Sequence, residues 1–207
     1  MKKGTLTIIS GFSGAGKGTV MKALLAKYSD QYALSISATS RKPREGEMDG
    51  REYFFKTKEE FEELIAQGKL IEYAKYVDNY YGTPAEYVEE QRQAGKDMIL
   101  EIEIQGALQV KEKYPEAMLI FLTPPSIPEL KKRLIGRGTE EMSVIDARLK
   151  RAKEEARFME QYDYIVVNDT VEECVERIHR LIQSQHDLVF YSLDLIEGMK
   201  KELEEME

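Results

Sequence analysis

Apolar positions along the chain come in short runs with two different periods. Leu6 to Ile9 is an apolar, β-prone run that stops at a glycine-rich turn, and Val20 to Tyr28 follows with helical character. Ala33 to Ser37 alternates like a short strand, and Tyr53-Phe54-Phe55 reads as another. Lys58 to Gln67 predicts a helix closed by Gly68. Leu70 to Val77 is strand-like, Asn79-Tyr80-Tyr81-Gly82 predicts a turn, and Pro84 opens a further helix at a position where its missing N–H is harmless. From Asp97 the rhythm becomes regular: strand at Met98 to Ile104, helix at Ala107 to Lys113, strand at Met118 to Leu122, helix at Ile127 to Leu134. A long charged helix over Ser143 to Gln161, a strand at Tyr164 to Val167 and a helix at Val171 to Gln185 complete the series. The Met118 to Leu122 run is almost unbroken, as in a parallel sheet covered on both faces. Together these predict an α/β fold: a parallel-sheet core flanked by helices, with a small mixed subdomain inserted between strand–helix units. Beyond it, Leu188, Tyr191, Leu195, Met199, Leu203 and Met206 recur at helical spacing, a stripe expected to pack on the domain or on a second copy.

Composition narrows the class. The length of 207 residues fits one domain, and 42% hydrophobic content supplies a core. A net charge of −8 sets up no field that would gather nucleic acid or an anionic membrane, so an anionic ligand must be held by local basic clusters. The single Cys174 excludes a disulfide framework and Cys-rich zinc sites and suits a reducing cytosol. No apolar run approaches the roughly 20 residues of a membrane span, and the early strand leaves no room for a signal peptide. A soluble, cytoplasmic protein is expected.

Chemistry concentrates first at Gly11-Phe12-Ser13-Gly14-Ala15-Gly16-Lys17-Gly18-Thr19. Glycines let the backbone curl so that several N–H groups converge on one anion. The following helix adds the positive end of its dipole, and Lys17 a full charge for the outer phosphates. Gly11-x-x-x-x-Gly16-Lys17 fits the phosphate-binding loop, except that Gly18 stands where Ser or Thr ordinarily holds Mg²⁺. Thr19 follows one position later; otherwise the metal sits on phosphates, waters and acidic side chains.

Four further constellations follow. Ser37-Ala38-Thr39-Ser40-Arg41-Lys42-Pro43-Arg44, with Tyr53 beyond it, offers two guanidinium forks to one phosphate. Glu72 with Tyr80-Tyr81-Gly82-Thr83 could read guanine, since a carboxylate accepts both N1–H and the exocyclic amine while repelling the N1 acceptor of adenine. Glu101 and Glu103, two apart on an apolar strand, are expected on one face and need something to bind. Arg133, Arg137, Arg148 and Arg151 flank a glycine-broken helix that could close over a transferring phosphoryl group.

Taken in order, these segments resemble the guanylate kinases, from about Thr5 to Gln183, leaving residues 184–207 outside. Besides the loop, the motifs are Thr39-Ser40-Arg41-Lys42-Pro43-Arg44-Glu45-Gly46-Glu47, Asp49-Gly50-Arg51-Glu52-Tyr53-Phe54-Phe55, Ile71-Glu72-Tyr73-Ala74, Asn79-Tyr80-Tyr81-Gly82-Thr83, Gln105-Gly106-Ala107, Pro124-Pro125-Ser126, Gly136-Arg137-Gly138 and Val167-Asn168-Asp169. The resemblance implies a P-loop core (1–36, 95–125 and 160–207), a GMP-binding subdomain at about 37–94 and a lid at about 126–159. It implies ATP:GMP phosphotransfer with Mg²⁺, and Lys17, Arg41, Arg137 and Arg148 as the catalytic charges. ATP would lie on Gly11 to Thr19, Arg137 and Asn168; the GMP phosphate on Ser37, Arg41, Arg44, Tyr53 and Tyr81. Glu72 and Thr83, with Glu101 nearby, would read guanine, and Thr19, Glu101 and Glu103 are the candidate metal-side oxygens. Glu101 and Glu103 stand where the family commonly has Asp. A non-catalytic interaction module of the same fold and a kinase for another nucleoside monophosphate are the alternatives; the intact Lys17 and arginine pairs oppose the first, and Glu72 with Thr83 the second.

Overall fold

The computed structural model describes residues 3–76, 78–136 and 141–206. In chain order the elements are β1 (Leu6–Gly11), α1 (Lys17–Lys27), β2 (Tyr32–Leu34), β3 (Ala38–Thr39), β4 (Phe54–Phe55), α2 (Lys58–Ala66), β5 (Leu70–Tyr76), β6 (Asn79–Pro84) and α3 (Ala85–Gln93). They continue with β7 (Asp97–Glu101), α4 (Ile104–Lys113), β8 (Met118–Thr123), α5 (Ile127–Gly136), α6 (Met142–Glu155), β9 (Tyr164–Val167), α7 (Val171–Gln185) and α8 (Leu193–Glu204).

Five strands form a parallel sheet in the order β2-β7-β1-β8-β9. Alternation along each central strand divides the core. Leu6, Ile8, Met98, Leu100, Leu119 and Phe121 face α4 on one side. Ile9, Ile99, Ile120 and Leu122 face Val20 and Leu24 of α1 and Cys174, Ile178 and Ile182 of α7 on the other. With both faces covered, the strands need to be apolar throughout, which is why Met118 to Leu122 lacks a polar period. β1 is central, so the chain leaves its carboxyl end where connections depart to opposite sides, the place where open α/β sheets hold ligands.

A second, four-stranded sheet, β4-β3-β6-β5, stands beside it. Its small core joins Ala38, Phe61 of α2 and Leu70. The α2 helix starts in a capping box, with the Thr57 hydroxyl on the Glu60 amide and the Glu60 carboxylate on the Thr57 amide.

Three expectations are corrected. Asn79 to Gly82 is not a turn but the body of β6, paired antiparallel with β5 from Tyr76↔Asn79 through Tyr73↔Gly82. The aromatic side chains favour a pleated surface, and pairing decides the outcome. The Met98 to Ile104 strand ends at Glu101, because its partner β1 runs alongside only to Ile9↔Glu101 before turning away. Ile104 already belongs to α4, whose N-cap is Glu103, so Glu101 and Glu103 do not share a strand face. The helix over Ser143 to Gln161 ends at Glu155 and tightens into a 3-10 turn over Ala156–Gln161. Helical composition continues across that junction, and short 3-10 segments are common at helix ends.

Past α7, Tyr191 returns to the body, its hydroxyl accepting from Arg92 at 3.4 Å. Leu195, Met199 and Leu203 of α8 are exposed, so this chain does not cover their stripe. No helix among the described residues is long and apolar enough to cross a membrane.

Candidate functional site

β1 ends at Gly11 and α1 begins at Lys17, with Gly16 as its N-cap in the left-handed region at φ 94°. A Cβ there would also lie 2.5 Å from the Asn168 amide nitrogen. Phe12 and Ala15 are buried, Phe12 packing edge-on against Phe121 at 5.0 Å, and they anchor the loop from beneath. Asn168 is buried as well and donates its amide to the Ala15 carbonyl at 2.8 Å, tying the end of β9 to the loop.

In front of the loop lies a cavity of about 410 Å³, bordered by Ser13, Gly14, Lys17, Gly18, Thr19 and Glu101. The Lys17 ammonium folds back on the loop, donating to the Gly11 carbonyl at 2.8 Å and the Phe12 carbonyl at 3.3 Å. Burial pushes its pKa down, opposed by the negative charges of Glu101, Glu155 and Glu103. Arg148 of α6 reaches the same loop and donates to the Ser13 hydroxyl at 3.3 Å. Arg137 lies outside the described residues.

Across from the loop, between the two sheets, is a cleft of about 330 Å³ bordered by Ser37, Tyr53, Glu72, Tyr81, Glu101 and Gly106. Glu101 therefore borders both cavities. Burial raises its pKa, and Lys17 counters that.

Glu72, on β5, is only 6% exposed. Its Oε1 accepts from the hydroxyl of Thr83, itself fully buried on β6, at 2.7 Å. Burial raises the pKa of Glu72; the Thr83 hydrogen bonds and the charge of Lys113 oppose the rise. A threonine has one hydroxyl hydrogen, and here it is committed to the carboxylate. In this geometry Thr83 holds Glu72.

Arg41 lies over the Tyr53 ring at 5.4 Å and pairs with Glu47 at 2.9 Å. The second oxygen of Glu47 accepts the Arg44 amide at 2.7 Å. These contacts hold the Glu47 carboxyl below its ordinary pKa, the Arg41 hydrogen bond first. Tyr53 and Tyr81 stand edge to face at 6.1 Å. Arg41, Tyr53 and Tyr81 are thereby gathered, and the exposed Arg44 lies on the adjoining loop. Glu103 is largely exposed and pairs with Arg151 at 2.7 Å, and Arg151 also meets Glu155 at 3.2 Å.

Glu47, Glu155 and Gly106 are site neighbours that the sequence reading assigned no role. The i,i+4 spacing of Arg151 and Glu155 was a visible signal for that pair; Gly106 stood in the Gln105-Gly106-Ala107 motif, which by itself pointed to no role.

As for a metal, Thr19 and Glu101 put a hydroxyl and a carboxylate on the cavity that also holds Lys17, oxygen donors of the kind Mg²⁺ takes. Glu103 is held by Arg151 instead. No cluster of three or more His, Cys, Asp or Glu able to hold a metal occurs among the described residues.

A phosphate loop at the carboxyl ends of a parallel sheet, sharing a carboxylate with a second polar cleft, defines a nucleotide-dependent phosphotransferase with two substrate sites. The guanylate kinase family model matches residues 3–185. Similar curated proteins include the guanylate kinases of Bacillus anthracis, 55% identical over 185 residues covering 89% of this chain and 90% of the relative. That of Enterococcus faecalis is 52% identical over 206 residues and 99% of both chains. The crystal structure of guanylate kinase from Anaplasma phagocytophilum is 33% identical with a TM-score of 0.68, covering 89% of this chain and 87% of that one. The chain belongs to the guanylate kinase family.

Proposed function

We propose the following division of labour for the chain's activity, the transfer of the γ-phosphoryl group of ATP to GMP to give ADP and GDP. ATP takes the Gly11 to Thr19 loop, with Lys17 and the lid arginines Arg137 and Arg148 on its phosphates. GMP takes the facing cleft, its phosphate on Ser37, Arg41, Arg44, Tyr53 and Tyr81, the phosphate replacing Glu47 as the anion on Arg41. The observation that carries the acceptor assignment is Glu72: a buried carboxylate, held by Thr83, on the wall of a cleft that meets the ATP site at Glu101. Its two oxygens suit N1–H and the exocyclic amine of guanine. Asn168 is assigned first to bracing the loop and, through its remaining oxygen, to the adenine amine.

The acceptor oxygen needs no general base, because a phosphate monoester is mostly doubly ionised at neutral pH, its second pKa being about 6. The chain's own residues align two anions, neutralise them and exclude water when the lid (about 126–159) closes on the GMP subdomain (about 37–94). Thr19 and Glu101 would hold Mg²⁺ together with phosphate and water ligands; when bound, the ion neutralises charge on the transferring phosphoryl group. The free, buried Cys174 suits a reducing compartment, and we place the enzyme in the cytoplasm.

Release of ADP from ATP and Mg²⁺, with GMP, AMP, CMP and dTMP compared as acceptors, tests the assignment. Rapid turnover with GMP alone is expected. A preference for another base would leave the phosphate loop standing and overturn the role of Glu72.

A further inference from the structure

We infer that Gly106 is a specificity-determining position: its missing side chain provides the space in which the Glu72 carboxylate takes its guanine-reading orientation. This rests on the base-reading role proposed for Glu72. Gly106 lies in the first turn of α4, on the wall of the GMP cleft. Its backbone is not in the left-handed region, so torsion alone does not call for glycine there. Glycine is also a weak helix former, so something else accounts for it. A Cβ built at this position falls 2.7 Å from Glu72 Oε2 and 3.2 Å from Glu72 Cδ, and otherwise 3.3 Å from Ile102 Cδ1. Glu72 Oε1 is held on the other side by Thr83 at 2.7 Å.

The carboxylate is thus fixed between a hydroxyl and a vacancy. Adding one methyl forces Oε2 away, and because the two oxygens are rigidly joined, the turn also draws Oε1 off Thr83. The displaced atoms are the far end of a flexible side chain, so the fold can adjust. Recognition cannot, because a pair of hydrogen bonds tolerates only about 0.5 Å of misplacement. The cost therefore falls on the base and not on the helix.

Four kinetic sets and a melting curve test this: kcat and KM for GMP and for IMP, in Gly106→Ala and in Glu72→Gln. IMP keeps N1–H but lacks the exocyclic amine, so the GMP-to-IMP ratio of kcat/KM isolates the second contact. For Gly106→Ala we expect kcat/KM for GMP to fall at least about tenfold through KM, IMP to fall less, and the ratio to shrink. The KM for ATP should hold, and the melting temperature should fall by no more than loss of the Thr83 bond explains, offset by the better helix propensity of alanine. An unchanged ratio in Gly106→Ala beside a collapsed ratio in Glu72→Gln would overturn the role of Gly106 and leave Glu72 as the reader. An unchanged ratio in Glu72→Gln would overturn the base-reading role and this inference with it. Equal losses for GMP and IMP, with a melting temperature lowered beyond the loss of the Thr83 bond, would make Gly106 a packing residue only.

Discussion

Thr83→Val isolates one hydrogen bond. Valine keeps the shape and β-branching of threonine, so β6 retains its backbone preference and its packing. What disappears is the donor to Glu72 at 2.7 Å, in a pair where Thr83 is fully buried and Glu72 6% exposed. Hydrogen bonds to charged groups contribute about 1.5–3 kcal/mol and neutral ones about 1 kcal/mol. Burial already raises the pKa of Glu72 above the ordinary carboxylate value, with the Thr83 side chain foremost among the opposing contributions. The sign follows from that direction. A carboxyl easier to protonate in the folded state lowers stability as pH rises from the ordinary carboxylate pKa through the raised one. Removing the Thr83 donor deepens this penalty at neutral pH and hardly changes it in acid. Melting curves of both proteins across pH check the difference. For a domain of this size, a deficit of roughly 3–12 °C is expected at neutral pH, narrowing to roughly 2–4 °C where Glu72 is protonated. The acid limb of kcat/KM for GMP, which reports the free enzyme, should move to higher pH in the variant. Melting deficits that run parallel at all pH values, with the acid limb unmoved, would refute a charge-holding role for Thr83.

Two further predictions concern the ATP side. Lys17→Met should lower kcat at least about a hundredfold, the scale for a lost transition-state charge contact, while equilibrium titration shows GMP binding little changed; turnover near wild type would sink the loop assignment. At Gly18 a Cβ meets nothing within 4 Å, so Gly18→Ser should fold normally and supply the hydroxyl the loop pattern lacks. Activity titrated against Mg²⁺ should then reach half-maximum at lower concentration; an unchanged titration would place position 18 away from the metal.

The phosphate loop was legible in the sequence because its parts are contiguous. A strand, four glycines, a lysine and a helix start all fall within residues 6–20, and the chemistry needs no partner from elsewhere. The order of strand and helix runs foretold a parallel sheet for the same reason, since periodicity is local. The end of β7 was not legible, because that strand stops where its neighbour departs, and that neighbour lies 92 residues away at the Ser10 to Ile102 bond. Glu72 read by itself as an exposed strand residue until the β5–β6 pairing brought Thr83 across to it. Carboxylate chemistry made it a candidate beforehand, and the resemblance to a family raised that candidate above the exposed-residue reading.

Register explains why the two substrates can meet. Ile9 pairs with Glu101, and β1 turns into the phosphate loop at Gly11, so the last residue of β7 must stand beside the start of that loop. No neighbouring residue marks this, yet it makes Glu101 common to the cavity at the glycine-rich loop and the cleft facing it. Burial pulls the pKa of Lys17 down and pushes that of Glu101 up, and each charge moderates the shift of the other. Opposite charges at the junction therefore each oppose the shift that burial imposes on the other. A neutral residue at position 101 would leave Lys17 with less support against its own burial, so the strand end acts on the phosphate loop as well as on the acceptor.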